Sequence, residues 1–149
     1  MDEPRWLTDE QQRIWRRFVE MLFTVPAALE AQLQRDAELT HMGYIVLSTL
    51  SERADRRLPM SRLAKRASAS LSRLSHVVAR LETRGWVRRE RDPEDGRVQI
   101  AVLTDAGYDK VVESAPGHAG AVQQLIFDRL SPAQVRQLGE LVDALLDTN

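Results

Sequence analysis

The stretch LSRLSHVVARLETRGWVRRERDPEDGRVQIAVLTDAG, residues 71–107, specifies the fold because its hydrophobic pattern changes partway along it. In its first part, 71–84, apolar residues recur at spacings of three and four, which predicts a helix. Ser70 is a suitable N-cap for this helix, and Gly85 is a suitable left-handed terminator. The predicted inward face consists of Leu71, Leu74, Val77, Val78 and Leu81. The opposite face carries polar and basic side chains, namely Ser72, Arg73, His76 and Arg80.

The second part of the stretch predicts a β-hairpin. Residues 86–91 form one expected strand and residues 98–102 the other. The second strand alternates, and its apolar face is formed by Val98, Ile100 and Val102. The connection 92–97 is rich in residues that favour turns. After the hairpin, Thr104 is placed to cap a further helix, in which the Pro-Gly pair at 116–117 predicts a kink or a break.

The chain just upstream predicts three further pieces. A helix is expected from a cap at Thr40 to about Arg53. Residues 56–59 are interpreted as a connector, and a short helix covers 60–67. This short helix and the one that follows it, joined by a tight turn, predict a helix-turn-helix, although an ordinary helical hairpin with a charged face has the same pattern. A helix-turn-helix followed directly by a hairpin is a winged helix, so we expect a mainly α fold with a small β-wing.

Both ends of the chain predict amphipathic helices. Thr8 caps the first, and Pro26 is expected to kink it rather than end it. Its apolar stripe is formed by Ile14, Phe18, Met21, Leu22, Val25, Leu29 and Leu33. Ser131 and Pro132 start the last helix, whose stripe is formed by Val135, Leu138, Leu141, Val142, Leu145 and Leu146. One small domain has too little interior to bury both stripes, so we expect a second copy of the chain to cover them. Closure into one intramolecular bundle is the alternative.

The charges are divided unevenly along the chain. The whole chain has a formal net charge of −1. Residues 53–97 nevertheless hold 13 basic residues against 6 acidic ones, a balance of +7. The remainder holds 8 basic and 16 acidic residues and carries −8. A basic middle segment suggests a polyanionic partner such as nucleic acid. A solvated arginine-rich surface is the alternative interpretation.

Composition excludes several classes of protein. The 149 residues include no cysteine, which excludes disulfides, thiol nucleophiles and iron–sulfur clusters. No apolar run reaches the roughly 18 residues of a membrane span, and the first residues lack the apolar stretch of a secretory signal, so we expect a cytoplasmic protein with no membrane partner. No Gly-rich phosphate loop or nucleophile–base pair is recognised, and His41, His76 and His118 are scattered. We therefore expect no enzyme, no metal and no other cofactor.

Two motifs in this order resemble the MarR family of transcriptional regulators. The run 71–87 is similar to that family's recognition helix and its exit. The run RDPEDGR at 91–97, followed by VLTDAG at 102–107, is similar to the family's wing. The combination is specific, because an Asp-x-Arg alone is frequent but one placed between a recognition helix and a Leu-Thr-x-x-Gly turn is not.

The resemblance implies the organisation of the whole chain as a single MarR-like domain. Dimerisation helices at 8–36 and 105–147 would build an obligate homodimer. The winged helix-turn-helix lobe at 40–104 would hold a recognition helix at 71–84 and a wing at 86–103. Two such lobes would read a palindromic operator in double-stranded DNA.

The resemblance, with the geometry of DNA, also implies roles for single residues. Arg73 is predicted to bind a guanine edge in the major groove, and Arg97 at the wing tip to enter the minor groove. Asp95 is expected to orient Arg97 rather than to touch DNA. Ser70 and Ser72 are predicted to donate to phosphates. The other predicted contacts on the helix are Arg80, to the backbone, and His76, for which a neutral surface histidine is the alternative. Phosphate candidates as a group are Arg62, Lys65, Arg66, Arg88, Arg89 and Arg91.

Control by a small effector is the last implication of the resemblance. An aromatic and often anionic compound would bind between the dimerisation helices and the lobe and relieve repression. The candidate pocket residues are Trp15, Arg16, His41 and Tyr44, for which packing roles are the alternative. A winged-helix module that binds another protein is the alternative function, but it would not need Arg73 and Arg97 on the two elements that reach DNA.

Overall fold

The computed structural model describes residues 3–146, so residues 1–2 and 147–149, including the last residue of the expected segment 105–147, lie outside the described part. In chain order the elements are α1 (Asp9–Ala37), α2 (His41–Ser51), β1 (Arg57–Pro59), α3 (Met60–Arg66), α4 (Leu71–Thr83), β2 (Val87–Arg91), β3 (Gln99–Leu103), α5 (Asp105–Leu125), a 3₁₀ turn (Phe127–Arg129) and α6 (Pro132–Leu146). The fold is mainly α with a small β-wing, which confirms the expected fold class. None of the helices in the described part is both long and apolar enough to cross a membrane.

The three strands form an antiparallel sheet in the order β1-β3-β2. Leu58 lies opposite Ala101, and Val87 lies opposite Leu103. The interpretation of 56–59 as a connector is therefore wrong. Three residues are too few to show an alternating pattern, and β1 forms because β3 offers a free edge with which it can pair.

The central strand β3 is more buried than its alternation predicts. Residues 100–103 are all buried, although only one face was expected to be covered. On the predicted apolar face, Arg57 and Arg88 flank Val102 in the strand register. The aliphatic stems of the two arginines therefore lie beside Val102. Ala101 and Leu103, the neighbours of Val102 in the strand, belong to the main core on the other face of the sheet.

The recognition helix α4 packs on the core through Leu74, Val78 and Leu81, none of which is more than 4% exposed. The helix ends as predicted, with Gly85 at a φ of 74°. The expectation that Leu71 faces inward is wrong, because its side chain is 55% exposed. Leu71 is the first residue of the helix, and it lines a shallow groove beside the wing instead.

The two long helices α1 and α5 pack against each other. Thr8 and Gln11 form a capping box at the start of α1, and the helix continues through Pro26 as expected. Only the second half of α1 is covered, and its buried residues are Leu29, Gln32, Leu33 and Ala37.

Helix α5 runs without interruption through Pro116 and Gly117, so the predicted break does not occur. The fixed φ of proline suits a helix, but inside a helix its ring crowds the carbonyl four residues earlier and one hydrogen bond is lost, at a cost of about 3 kcal/mol. A Cβ on Gly117 would lie 3.3 Å from Nε2 of Gln32 on α1, so the missing side chain permits the close approach of the two helices. Helix α5 therefore remains continuous at the place where it packs closely against α1.

The first half of α1 and the whole of α6 remain uncovered in the single chain. Ser131 caps α6 as predicted and forms a capping box with Gln134. No residue of α6 is buried. The exposed large apolar side chains on the two helices include Ile14, Trp15, Phe18, Met21, Leu22, Phe23, Leu141, Val142 and Leu146. Within the described part of one chain, these side chains remain largely exposed to solvent.

Candidate nucleic-acid interface

The recognition helix presents one continuous polar face to the solvent. Ser70 Oγ accepts the backbone N–H of Arg73 at 3.1 Å, and the hydroxyl hydrogen of Ser70 stays free to donate. The side chains predicted to contact DNA are all exposed on this face: Ser72, Arg73, His76 and Arg80. The start of a helix also favours anions, because its first N–H groups lack partners within the helix. The face is therefore suited to a polyanion.

The wing tip holds one arginine in a fixed direction. Arg97 Nε donates to Asp95 Oδ1 at 3.1 Å, and Arg97 Nη2 donates to Oδ2 at 3.4 Å. The backbone N–H of Arg97 donates to the same Oδ1 at 3.1 Å. These bonds lower the pKa of Asp95 below its usual value, so the carboxylate stays charged. The Arg97 side chain is nevertheless 93% exposed and free to meet a partner.

The basic residues of the middle segment fall into two groups. Arg88 pairs with Glu90 at 2.9 Å and Arg89 with Glu82 at 2.7 Å, so these two phosphate candidates already have carboxylate partners. Carboxylates also hold Arg53, Arg56, Arg57, Arg84 and, at the wing tip, Arg97. Within residues 3–146, the basic side chains of this segment that form no ion pair are Arg62, Lys65, Arg66, Arg73, Arg80 and Arg91. The second group is the one available to phosphates.

A groove of about 1170 Å³ lies between the recognition helix and the second half of α1. Its α4 wall includes Arg73 and Arg80, and its α1 wall includes Glu30 and Glu38. His41, at the start of α2, also lines it. The groove and the polar face of α4 therefore share the same arginines.

The four residues predicted to bind an effector lie in two places. His41 and Tyr44 lie on α2, and the ring of Tyr44 is 4.3 Å from the ring of His118 on α5. Trp15 and Arg16 lie on the exposed first half of α1. Across the described residues, no hydrogen bond or ring contact joins the second pair to the first.

The tertiary structure brings together two histidines that are far apart in the sequence. The rings of His41 and His118 lie 5.8 Å apart, whereas His76 lies on the exposed face of α4. Burial lowers the pKa of both imidazoles. The neighbouring His41 lowers the pKa of His118 further, whereas Glu30 opposes the shift at His41. Among residues 3–146, no group of three or more suitable side chains could hold a metal ion.

The histidine pair predicts a pH dependence of stability. Because the folded pKa values lie below the ordinary value of 6.5, the unfolded chain binds protons more readily than the folded one. The free energy of unfolding should therefore fall as the pH drops below 6.5, and level off below the lowered pKa values. Chemical denaturation between pH 7.5 and about 5 measures this slope. The perturbed carboxylates have usual pKa values of 3.8 or 4.5 and act at lower pH.

The matched variant for this prediction is His41→Gln combined with His118→Gln. It removes both titrating rings, so the slope between pH 7.5 and 5 should become flatter. The third histidine, His76, is exposed on the recognition helix and stays in place in both proteins. An unchanged slope in the double variant would contradict the prediction.

Sequence reasoning missed two ion pairs at the C-terminal end of the recognition helix. Arg84 pairs with Glu38 at 3.5 Å, and its guanidinium lies 4.4 Å above the ring of Trp86. Arg89 pairs with Glu82 in the last turn of α4. The Arg89–Glu82 pair could have been expected from the sequence. Glu82 lies in the last turn, where a carboxylate is unfavourable beside the negative end of the helix dipole, and a nearby cation would offset this effect. The first pair has no local signal.

Comparison with known proteins supports the sequence motifs and the fold together. The sequence model of the MarR family matches residues 39–98. Sco3205, a MarR family transcriptional regulator from Streptomyces coelicolor that was solved in complex with DNA, is 50% identical, with 99% of this chain and 92% of that chain covered and a TM-score of 0.94. AbsC, a MarR family transcriptional regulator from the same organism, is 36% identical, with 97% of each chain covered and a TM-score of 0.90.

A curated relative extends the comparison to a second bacterium. The transcriptional regulator HosA from Escherichia coli O111:H- is 28% identical over 74% of this chain and 79% of that protein. The relatives named here are transcriptional regulators and not enzymes. With the winged helix, its basic recognition face and the wing-tip arginine, they show that the chain belongs to the MarR family of DNA-binding transcriptional regulators.

Proposed function

We propose that the chain is a homodimeric repressor that binds a palindromic operator and is released from it by a small aromatic or anionic ligand. The observation that carries the proposal is the wing-tip arginine, since Arg97 is paired with Asp95 yet 93% exposed, and the recognition helix also presents an exposed Arg73. Repression is the proposed outcome because some relatives are described as transcriptional repressors. Binding of another protein by the same lobe is the alternative.

The homodimer follows from the uncovered apolar faces. Large contiguous apolar faces are rarely exposed on a soluble monomer, and a twofold axis would allow the same face on two chains to cover each other. We therefore propose that 8–36 and 105–147 form the dimerisation region and that 40–104 forms the DNA-binding lobe. Two lobes related by twofold symmetry would read the two halves of a palindrome.

The DNA contacts are assigned by exposure and free hydrogen-bonding capacity. Arg73 is proposed to read a guanine edge, since its guanidinium is exposed near the start of the recognition helix and forms no ion pair with any residue between 3 and 146. Arg97 would enter a narrow minor groove. Ser70, Ser72 and Arg80 would bind phosphates or the sugar backbone. His76 lies on the same face and adds a polar contact.

Replacement of Arg97 by alanine tests the proposed function. DNA fragments that the wild-type protein selects from a random library serve as probes, and binding is measured across a salt series. Loss of the minor-groove contact should weaken binding to the selected duplex by about 1–3 kcal/mol, roughly five- to 150-fold. If wild-type protein selects no sequence above random DNA, specific reading is wrong and the protein-binding alternative is favoured.

Replacement of Asp95 by alanine tests the orienting role. The change removes a negative charge beside DNA, which alone would tighten binding, but it also frees the Arg97 side chain to adopt many conformations. We expect the second effect to dominate, so binding to the selected duplex should weaken by about threefold to tenfold. Tighter binding of Asp95→Ala would show that the carboxylate only repels DNA.

The groove beside α4 is the proposed ligand site. It is large enough for a small aromatic molecule, and Arg73, Arg80 and His41 on its walls suit a carboxylate or a phenol. The two glutamates on its walls already have partners, since Glu38 pairs with Arg84 and Glu30 accepts the backbone N–H of His41. A ligand there would compete directly for the arginines that face DNA. Tyr44 lies beside this site, whereas Trp15 and Arg16 would join it only across the dimer. Release of the selected duplex by aromatic carboxylates, followed in a fluorescence assay, tests the site. The matched variant is His41→Gln, because His41 lines the groove and has no proposed contact with DNA.

A further inference from the structure

Two different kinds of contact attach the recognition helix to the rest of the lobe. The apolar side chains on its inward face pack in the core, and such packing has little directional preference. On one flank, Ser75 and Glu82 both reach Arg89 of strand β2. These two residues are seven positions apart and therefore lie on the same side of the helix, about two turns from each other.

The polar contact is extensive for a single pair of residues. Arg89 Nη2 lies 2.7 Å from Glu82 Oε2, and Arg89 Nε donates to the same oxygen at 2.9 Å. The backbone N–H of Arg89 donates to Glu82 Oε1 at 3.1 Å. Arg89 Nη1 also donates to Ser75 Oγ at 3.3 Å. Both side chains of the ion pair are less than a third exposed, so water screens the pair less than the other pairs of the lobe.

This contact restrains a motion that apolar packing alone leaves soft. A pair of hydrogen-bonded points two turns apart on one flank resists rotation of α4 about its own axis. Bidentate hydrogen bonds to a base edge need their donors placed within about 0.5 Å and 10–20°. A small rotation would therefore move Arg73, on the opposite flank, out of reach of a guanine edge.

We propose that Arg89 and Glu82 are positioning residues for DNA reading, which set the rotation of the recognition helix and so the direction of Arg73. Neither side chain touches DNA in this arrangement. The proposal rests on the proposed function, because it assumes that Arg73 reads a base edge. It withdraws Arg89 from the phosphate-binding group suggested by its sequence neighbourhood.

The variant Glu82→Gln distinguishes the positioning role of the ion pair from a simple charge effect, because the two predict changes of opposite sign in the affinity for DNA. Removal of a negative charge near a polyanion should tighten binding to any DNA. Loss of the ion pair should instead weaken binding to the selected sequence alone, since phosphate contacts tolerate a rotated helix better than base contacts do. The two explanations therefore predict opposite results on the same duplex.

The experiment uses the full chain and two duplexes of equal length and composition. One is the sequence that wild-type protein selects from a random library, and the other is its scrambled version. For Glu82→Gln we expect about tenfold weaker binding to the selected duplex and unchanged or slightly tighter binding to the scrambled one. Arg89→Met should lower the ratio of the affinity for the selected duplex to that for the scrambled duplex. It should not change the salt slope on the scrambled duplex. The milder Arg89→Lys, which keeps the charge but loses the planar fork, should fall between.

The matched control is Glu94→Gln on the wing. Glu94 loses the same charge, is exposed and has no ion pair among the described residues, so the ratio of affinities should stay that of the wild type. Thermal melts monitored by circular dichroism establish that each variant is folded at the assay temperature. A variant that only lost stability would bind both duplexes less well by the same factor.

Two results would overturn the proposal. Equal losses on both duplexes in Arg89→Met, with a salt slope smaller by about one, would make Arg89 a phosphate contact. Undiminished discrimination by Glu82→Gln would show that the ion pair does not position the helix. If the wild-type protein itself fails to discriminate between the duplexes, it is the proposed function that fails, so the two failures are distinguishable.

Discussion

Replacement of Gly107 by alanine is expected to lower the melting temperature by roughly 6–12 °C, because the added methyl group has no room. A Cβ at this position would overlap the backbone carbonyl oxygen of Trp86 and lie 2.7 Å from Leu103 Cδ1. The carbonyl cannot easily move away, since it accepts the N–H of Thr104 at 3.1 Å. Thr104 in turn caps α5 by accepting the N–H of Gly107 at 3.0 Å.

The size of this effect follows from the cost of overpacking. Forcing extra volume against a hydrogen-bonded backbone costs about 3 kcal/mol, and each kcal/mol lowers the melting temperature of a chain of this size by about 2–4 °C. Thermal unfolding at fixed protein concentration measures the change, since the proposed dimerisation would make the melting temperature depend on concentration. The junction between the wing and α5 should loosen first, because it holds the clash.

The matched control for this prediction is Gly120→Ala in the same helix. A Cβ at Gly120 meets nothing within 4 Å, and alanine favours a helix by about 0.5–1 kcal/mol relative to glycine. The control should therefore melt at an equal or higher temperature. Equal melting temperatures for Gly107→Ala and the wild type would mean that the close approach of α5 to the wing is wrong.

Replacement of Leu141 by glutamate is expected to dissociate the proposed dimer at micromolar concentration. Leu141 is 63% exposed in the single chain and lies on the uncovered apolar face of α6. In a symmetric interface each substitution acts twice. Burial of a carboxylate without a partner costs about 2–3 kcal/mol in each copy, so dimer affinity should fall by about 10³–10⁴-fold. Sedimentation velocity over a concentration series measures this loss.

Loss of the dimer should also abolish tight binding to a palindrome, since each lobe would then bind a half-site independently. The matched control is Arg136→Gln, which changes the net charge by the same amount on the opposite side of α6 and should leave the dimer intact. Retention of the dimer by Leu141→Glu would show that α6 lies outside the interface. The apolar face of α1 would then be the remaining candidate.

The sequence by itself determined the features that depend on near neighbours. The caps at Thr8, Thr40, Ser70 and Thr104 are all present, because each cap is a hydrogen bond across three residues. The recognition helix and the wing appear within one or two residues of their predicted bounds, because helical periodicity and turn residues act over a few positions. The family motif combined these local signals, and the mainly α winged helix followed from them.

Only the tertiary structure decided the features that depend on residues far apart in the chain. β1 exists because β3 supplies an edge more than 40 residues away, and α5 passes through Pro116 while it packs against α1. The meeting of His41 with His118 has the same origin. The difference between arginines that form ion pairs and arginines that do not has the same origin. The sequence shows where the arginines are, but not which of them a carboxylate contacts in the folded chain. A sequence gives the identity of each residue, whereas whether an arginine is free to bind a phosphate depends on which side chains lie beside it in the folded chain.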